Sequence, residues 1–343
     1  MIFVMALGTL GLSTQGKTVK EYKEPASKAE SSAKSFDILW RNPTDISSRN
    51  LIYGEGGRDR APHGKMTFVK EDLDGTNPKF ILHDSQGTKW QVKLGTEPRP
   101  EVAASRLVWA VGYFVNEDYF VKDLQIENMP PQVHRGQEMI GPNGFVHNVR
   151  LKRYSKDEKK IANWKWSQDP FRNTREYNGL RTLMAVINNW DVKDENNSVY
   201  EIKDANTRPE RIFMVSDLGA SFGTTHLVRH NQLTKGNLDY YKDTVLIRRI
   251  RSGYVDFATP QRPALVVLVN PKEFFTRVRL DWIAKHVPVD DARWMGHLLG
   301  ELSPAQIRDA FRAADYSPNE VDGFATILEN RIGQLNDLPS RPE

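Results

Sequence analysis

Asn188-Asn189-Trp190-Asp191-Val192-Lys193-Asp194-Glu195-Asn196-Asn197, followed by Ser216-Asp217-Leu218-Gly219, is the stretch whose reading decides the fold. Asp191, Lys193 and Asn196 spell D-x-K-x-x-N, and Asp217 opens D-L-G at the end of an apolar run. These side-chain types meet the needs of phosphoryl transfer from a magnesium nucleotide. One carboxylate orients the attacking hydroxyl, a lysine neutralises the phosphoryl oxygens, and an amide and a second carboxylate offer hard oxygens to the metal. The bland alternative is a solvated charged loop at Asp191 and a turn residue at Asp217. Against it stands the cost of placing a carboxylate directly after Ile212-Phe213-Met214-Val215 and just before Gly219 and Gly223 merely to be solvated.

Working outward, Tyr177, Leu180, Leu183, Met184 and Ile187 recur at helical spacing, so a helix starting near Thr174 runs straight into Asn188. Residues 198–202 and 211–215 read as two strands joined by a polar loop containing Pro209. The candidate residues therefore lie at a helix end and at the exit of a hairpin. Residues 66–95 read as a small antiparallel sheet, with Asp74-Gly75-Thr76-Asn77-Pro78 supplying a turn. In its last strand Trp90, Val92 and Leu94 alternate with Gln91 and Lys93, so Lys93 faces water or a site. A helix over 101–111 follows, with Pro100 at its start and Gly112 as its stop.

Residues 113–121 and 145–154 read as strands, 128–146 as loop, and the lysine-rich 155–160 as a solvated connection between lobes. Gly54-Glu55-Gly56-Gly57 beside Arg58 and Arg60 reads as a turn, because no strand-to-helix context makes it a phosphate loop. Residues 224–262 read as a long irregular, substrate-facing stretch, and the C-terminal part as helical. There Ser303-Pro304-Ala305-Gln306 and Ser317-Pro318-Asn319-Glu320 each combine a capping serine, a first-turn proline and Gln or Glu three residues after the cap. Trp164 and Trp166 read as packing residues, and the histidines show no metal-ligand spacing.

A chain of 343 residues with 39% hydrophobic and 27% charged residues is long enough for a two-lobed unit with a full core. The formal net charge is +4, from 48 basic against 44 acidic side chains, and no Lys/Arg block stands out, so there is no clear nucleic-acid signal. The absence of cysteine excludes disulfides, thiolate metal sites and a cysteine nucleophile. The apolar run within residues 2–12 is too short for a comfortable membrane span and carries no preceding Lys or Arg. It favours an export signal, and so a periplasmic or secreted protein, over a buried first strand or helix. Residues 17–35 read as an exposed linker.

At Asp191-x-Lys193-x-x-Asn196 and Asp217-Leu218-Gly219 the chain resembles the protein-kinase-like superfamily. Asn189-Trp190 replaces the H-R of ordinary protein kinases and points to the atypical branch: HipA-like, phosphatidylinositol-kinase-like or secretory-pathway-kinase-like. Asp74-Gly75-Thr76-Asn77-Pro78-Lys79, Trp90-x-x-Lys93 and Glu101-Val102-Ala103-Ala104 look most like the HipA-type N-lobe, and the resemblance covers about residues 66–223. It implies an α+β, two-lobed fold; with the possible signal and linker read at 1–35, the antiparallel-sheet N-lobe takes 36–154 and the mostly helical C-lobe 155–343. It also implies ATP and Mg²⁺ as cofactors. Asp191 would act on the acceptor hydroxyl and Lys193 would steady the phosphoryl group, while Asn196 and Asp217 bind the metal. Lys93 would hold the nucleotide phosphates and pair with Glu101, with Glu97 as a rival partner. Gly75, Thr76, Asn77 and Lys79 would flank those phosphates. The acceptor is a protein, lipid or small-molecule hydroxyl, and the alternative is a nucleotide-binding pseudokinase without turnover.

Overall fold

A computed structural model describes residues 36–202, 210–223, 235–259 and 271–339 of the chain. The reading of residues 1–35 as signal and linker lies outside the described residues, as do 203–209, 224–234 and 260–270. Among the described residues no helix is long and apolar enough to cross a membrane.

The fold is α+β, with most of its strands in the first half and most of its helices in the second. Strands β2 (Met66–Asp72), β3 (Lys79–Asp84), β4 (Lys89–Lys93), β5 (Asp118–Glu127) and β6 (Phe145–Arg153) close into a barrel in the order β2-β3-β4-β6-β5. The strands expected as a small sheet thus curl round until β2 meets β5 in parallel, with Met66 opposite Ile126 and Thr67 opposite Glu127. Closure removes the exposed edges an open sheet would leave. Phe80, Leu82, Trp90, Val92, Val149 and Leu151 fill one face of these strands. Lys93 and Arg150, set opposite each other across β4 and β6, project from the other face and meet helix α1 (Pro98–Ala110).

Helix α1 begins at Pro98, earlier than expected. Both Pro98 and Pro100 fall in its first turn, where backbone N–H groups have no helical partner to lose. Gly112 ends it at φ +93°, and a Cβ there would lie 2.2 Å from the Arg41 carbonyl oxygen. Beyond it the chain runs irregularly to β5, which starts at Asp118 rather than at 113.

The second sheet has the order β1-β9-β8-β7, comprising β1 (Phe36–Ile38), β7 (Glu158–Ala162), β8 (Asn197–Ile202) and β9 (Glu210–Val215). β7 alters the reading of 155–160 as a solvated connection, in that the segment is solvated but has strand structure. It is a strand pairing β8, and every one of its residues is exposed. Lysines suit that position, since charge on an edge strand discourages further pairing. The stretch expected to be irregular also holds α3 (Leu238–Lys242) and the hairpin β10 (Ile247–Arg251) and β11 (Tyr254–Phe257), which pairs β12 (Val287–Pro288).

Helix α2 (Arg175–Val186) starts where expected, with Thr174 as its cap, and packs in the large core with α4 (Pro271–Leu280), α5 (Val289–Gly300), α6 (Pro304–Arg312) and α7 (Pro318–Asn336). Both expected capping boxes form, at Ser303/Gln306 and Ser317/Glu320. Trp164 and Trp166 stack edge to face within this core.

Candidate active site

Lys93 is the centre of the site. Although it alternates with core residues, it does not face water: it is 4% exposed, and Gln91 two residues before it is 8% exposed. Its Nζ lies 2.6 Å from Glu97 Oε2, 2.9 Å from Glu101 Oε2 and 3.4 Å from Asp217 Oδ1. The two carboxylates that competed for Lys93 in the sequence therefore both take it. Starting α1 at Pro98 makes this possible, since Glu97 then stands at the N-cap and Glu101 one turn along, on the same face.

Burial alone would depress the Lys93 ammonium, but Glu101, Asp217 and Glu97 together hold it above its ordinary range, so it stays charged. Burial pushes the Glu101 carboxyl up, against the pull of Arg150 and Lys93. Burial also works against ionisation of Glu97, yet Lys93 and Lys235 overcome it and hold that carboxyl down to about 2. The sign follows directly. A carboxyl depressed from 4.5 contributes stability that is fully present above about pH 4.5 and is lost as pH falls towards about 2. The contribution is on the order of 3 kcal/mol from the shift alone. Glu97→Gln is expected to flatten the pH dependence of denaturant midpoints across that window, and an unchanged acid limb would refute the pairing.

The catalytic-loop candidates lie just past α2. Asp191 Oδ1 is 3.3 Å from Lys193 Nζ. The Asn196 side-chain amide donates to the Asp191 carbonyl, at 2.5 Å, and the Asn196 carbonyl accepts from the N–H groups of Ser216, at 2.8 Å, and Asp217, at 3.3 Å. Loop and D-L-G are thus joined through one asparagine. Asn189 joins them again: its Oδ1 accepts from Asp191 N, at 3.1 Å, and its Nδ2 donates to the Asp217 carbonyl, at 3.4 Å.

Two of the expected oxygen donors are the residues that could hold a magnesium ion. Asn196 turns its amide nitrogen to the Asp191 carbonyl, which leaves Oδ1 as the atom that could serve a metal. The Asp217 side chain is 37% exposed, against 5% for Lys93 and 2% for Glu101, so one carboxylate of the cluster opens outwards. Oxygen ligands of this hardness, few in number, are what magnesium takes alongside nucleotide phosphates. Oxygens of Glu97, Glu101 and Asp217 also lie within 4.8 Å of one another, but Lys93 Nζ sits against all three and supplies the positive charge there.

Gly75, Thr76 and Asn77 form the turn between β2 and β3, with Gly75 at φ +67°. The Asn77 side chain donates to Glu97 Oε2 at 2.6 Å, which brings this loop to Lys93. Lys79 stands opposite Lys93 across β3 and β4 and pairs loosely with Asp72 at 3.8 Å. Burial pushes its ammonium below the ordinary range. Gly219 of D-L-G is needed for close approach, because a Cβ there would fall 2.7 Å from Glu97 Cβ.

Three participants went unseen in the sequence. Arg150, 3% exposed, pairs with Glu101 at 3.2 Å and with Asp118 at 3.6 Å. Its alternation with Val149 and Leu151 was visible, but nothing local shows that its face of β6 lies under a helix. Lys235, ion-paired with Glu97, comes from a stretch with no motif. Asn189 was visible only as a departure from H-R.

A buried lysine is thus shared between the α1 carboxylate of Glu101 and the aspartate of D-L-G, and D-x-K-x-x-N lies just past the end of α2. No family model matches the chain, and no curated protein matches it. Among solved structures, the Helicobacter pylori proinflammatory kinase CtkA matches at 12% identity and TM-score 0.42, over 79% of this chain and 95% of that one. The Golgi casein kinase matches at 11% identity and TM-score 0.31, over 79% of this chain and 74% of that one.

Proposed function

We propose that this chain is an ATP- and Mg²⁺-dependent phosphotransferase acting on a hydroxyl group. The observation that carries the reading is the joining of Asp191, Asn196 and Asp217 by direct hydrogen bonds beside an ammonium buried between Glu101 and Asp217. In this reading Lys93 contacts the nucleotide phosphates, and Glu101, anchored from behind by Arg150, holds it in place. The turn at Gly75, Thr76 and Asn77 offers backbone N–H groups to the same phosphates, and Lys79 adds charge nearby. Asn196 Oδ1 and the Asp217 carboxylate would hold the metal, which when bound neutralises charge on the phosphate oxygens. Asp191 accepts the acceptor hydroxyl's proton at its carboxylate and aims that oxygen, while Lys193 offsets the charge gathering on the transferred group. The order of the Pro78-Lys79 turn, the Lys93 strand and the Glu101 helix favours a HipA-like branch.

Calorimetry with ATP tests this. Binding is expected to tighten at least tenfold when Mg²⁺ is added, and equal affinity with and without the metal would remove Asn196 and Asp217 as ligands. Tight binding without transfer to any hydroxyl or to water would leave a nucleotide-binding pseudokinase.

A further inference from the structure

Glu97 is the meeting point of four separate pieces of chain. Its Oε2 takes the Lys93 ammonium at 2.6 Å and the Asn77 amide at 2.6 Å, its Oε1 takes Lys235, and its Cβ lies against Gly219. Two ammonium groups and an amide N–H around one small anion make a binding site for a phosphate oxygen as much as for a carboxylate. Lys235 is not there by chance of side-chain reach. The N–H groups of Gly236 and Asn237 donate to the carbonyls of Ser221 and Phe222, both at 2.9 Å. Gly236 is pressed against Pro100 of α1 and the Tyr316 hydroxyl so closely that a Cβ would fall 2.9 Å and 2.4 Å from them. The fold therefore fixes the backbone that delivers Lys235, whose side chain is only 13% exposed.

We infer that Lys235 is a second phosphate-binding lysine, and that Glu97 occupies the place of a phosphate group between it and Lys93. The inference rests on the phosphotransferase reading and adds a residue to it. Lys93 keeps Glu101 and Asp217 as partners whether or not Glu97 is charged, whereas Lys235 has Glu97 as its ion-pair partner among the described residues. An incoming polyphosphate thus competes with Glu97 for both ammonium groups. Removing the Glu97 charge removes the competitor and leaves the receptor.

The test is calorimetry of the full chain near neutral pH with Mg·ATP, with inorganic tripolyphosphate and with adenosine. Glu97→Gln keeps the shape and is expected to bind tripolyphosphate and Mg·ATP about tenfold more tightly, although its melting temperature falls. Lys235→Ala is expected to weaken both ligands about tenfold and leave adenosine unaffected, with Lys235→Arg restoring most of the loss. A structural role alone would move stability and affinity in the same direction in Glu97→Gln, so weaker binding there overturns the inference. So does wild-type affinity in Lys235→Ala, and so does the absence of tripolyphosphate binding in both wild type and Glu97→Gln. Should tripolyphosphate bind as described while Mg·ATP is never turned over, the phosphotransferase reading falls and the paired-lysine site stands.

Discussion

Asp191→Asn is expected to leave Mg·ATP binding nearly unchanged while lowering phosphate transfer by about a hundredfold or more, the range of a general-base contribution. Asp191 takes its place from backbone bonds, its N–H to Asn189 and its carbonyl to Asn196, which asparagine preserves. The carboxylate is lost, and with it the pairing to Lys193 and an interaction used mainly in the transition state. Asp217→Asn should behave differently. That carboxylate faces Lys93 and opens to solvent, so its loss weakens metal-nucleotide binding and transfer together. Isothermal titration alongside single-turnover transfer separates the two patterns. If both variants bind Mg·ATP normally and still transfer phosphate, the assignment of roles is wrong.

Lys93→Met should cost about 3–5 kcal/mol of folding stability, the range for removing one partner of a buried ion pair. The reason is the company it keeps. Glu101 is 1% exposed and Glu97 6%, so neither can turn to water when the ammonium goes. Glu101 would be left with Arg150, and Glu97 with Lys235 and Asn77. Adding Glu101→Gln to Lys93→Met should recover part of the loss, because it removes one of the buried carboxylates left short of positive charge. The measurement is a denaturant midpoint at constant slope. A loss below about 1 kcal/mol, the value of an exposed pair, would mean the lysine is not caged.

Local pattern made the secondary structure of the site legible. The helix into Asn188, the hairpin behind Asp217 and both capping boxes follow from spacing and cap chemistry, which act over a few residues. What pattern could not convey was which face of β4 and β6 counts as inside. Alternation separates Trp90 and Val92 from Gln91 and Lys93, and it assigns the polar set to water by default. Here α1 lies over that polar set, and both sets are buried. Lys235 was illegible for another reason: its partner Glu97 lies far away in sequence, and no repeat or motif announces a contact of that range.

The short strand β1 has a consequence for how the chain reaches its native state. It pairs in parallel with β9, setting Phe36 opposite Glu210 and Ile38 opposite Ile212, and Asp37 grips Arg211 with both carboxylate oxygens. β8 and β9 can zip together as neighbours, but β1 must close a loop that holds the whole barrel, α1 and α2 before it docks. Among the described strands, β1 is the first to be made and pairs with one made much later. The β8–β9 hairpin behind Asp217 therefore draws its outer support from a contact of high closure entropy, unlike the local contact that forms the hairpin itself.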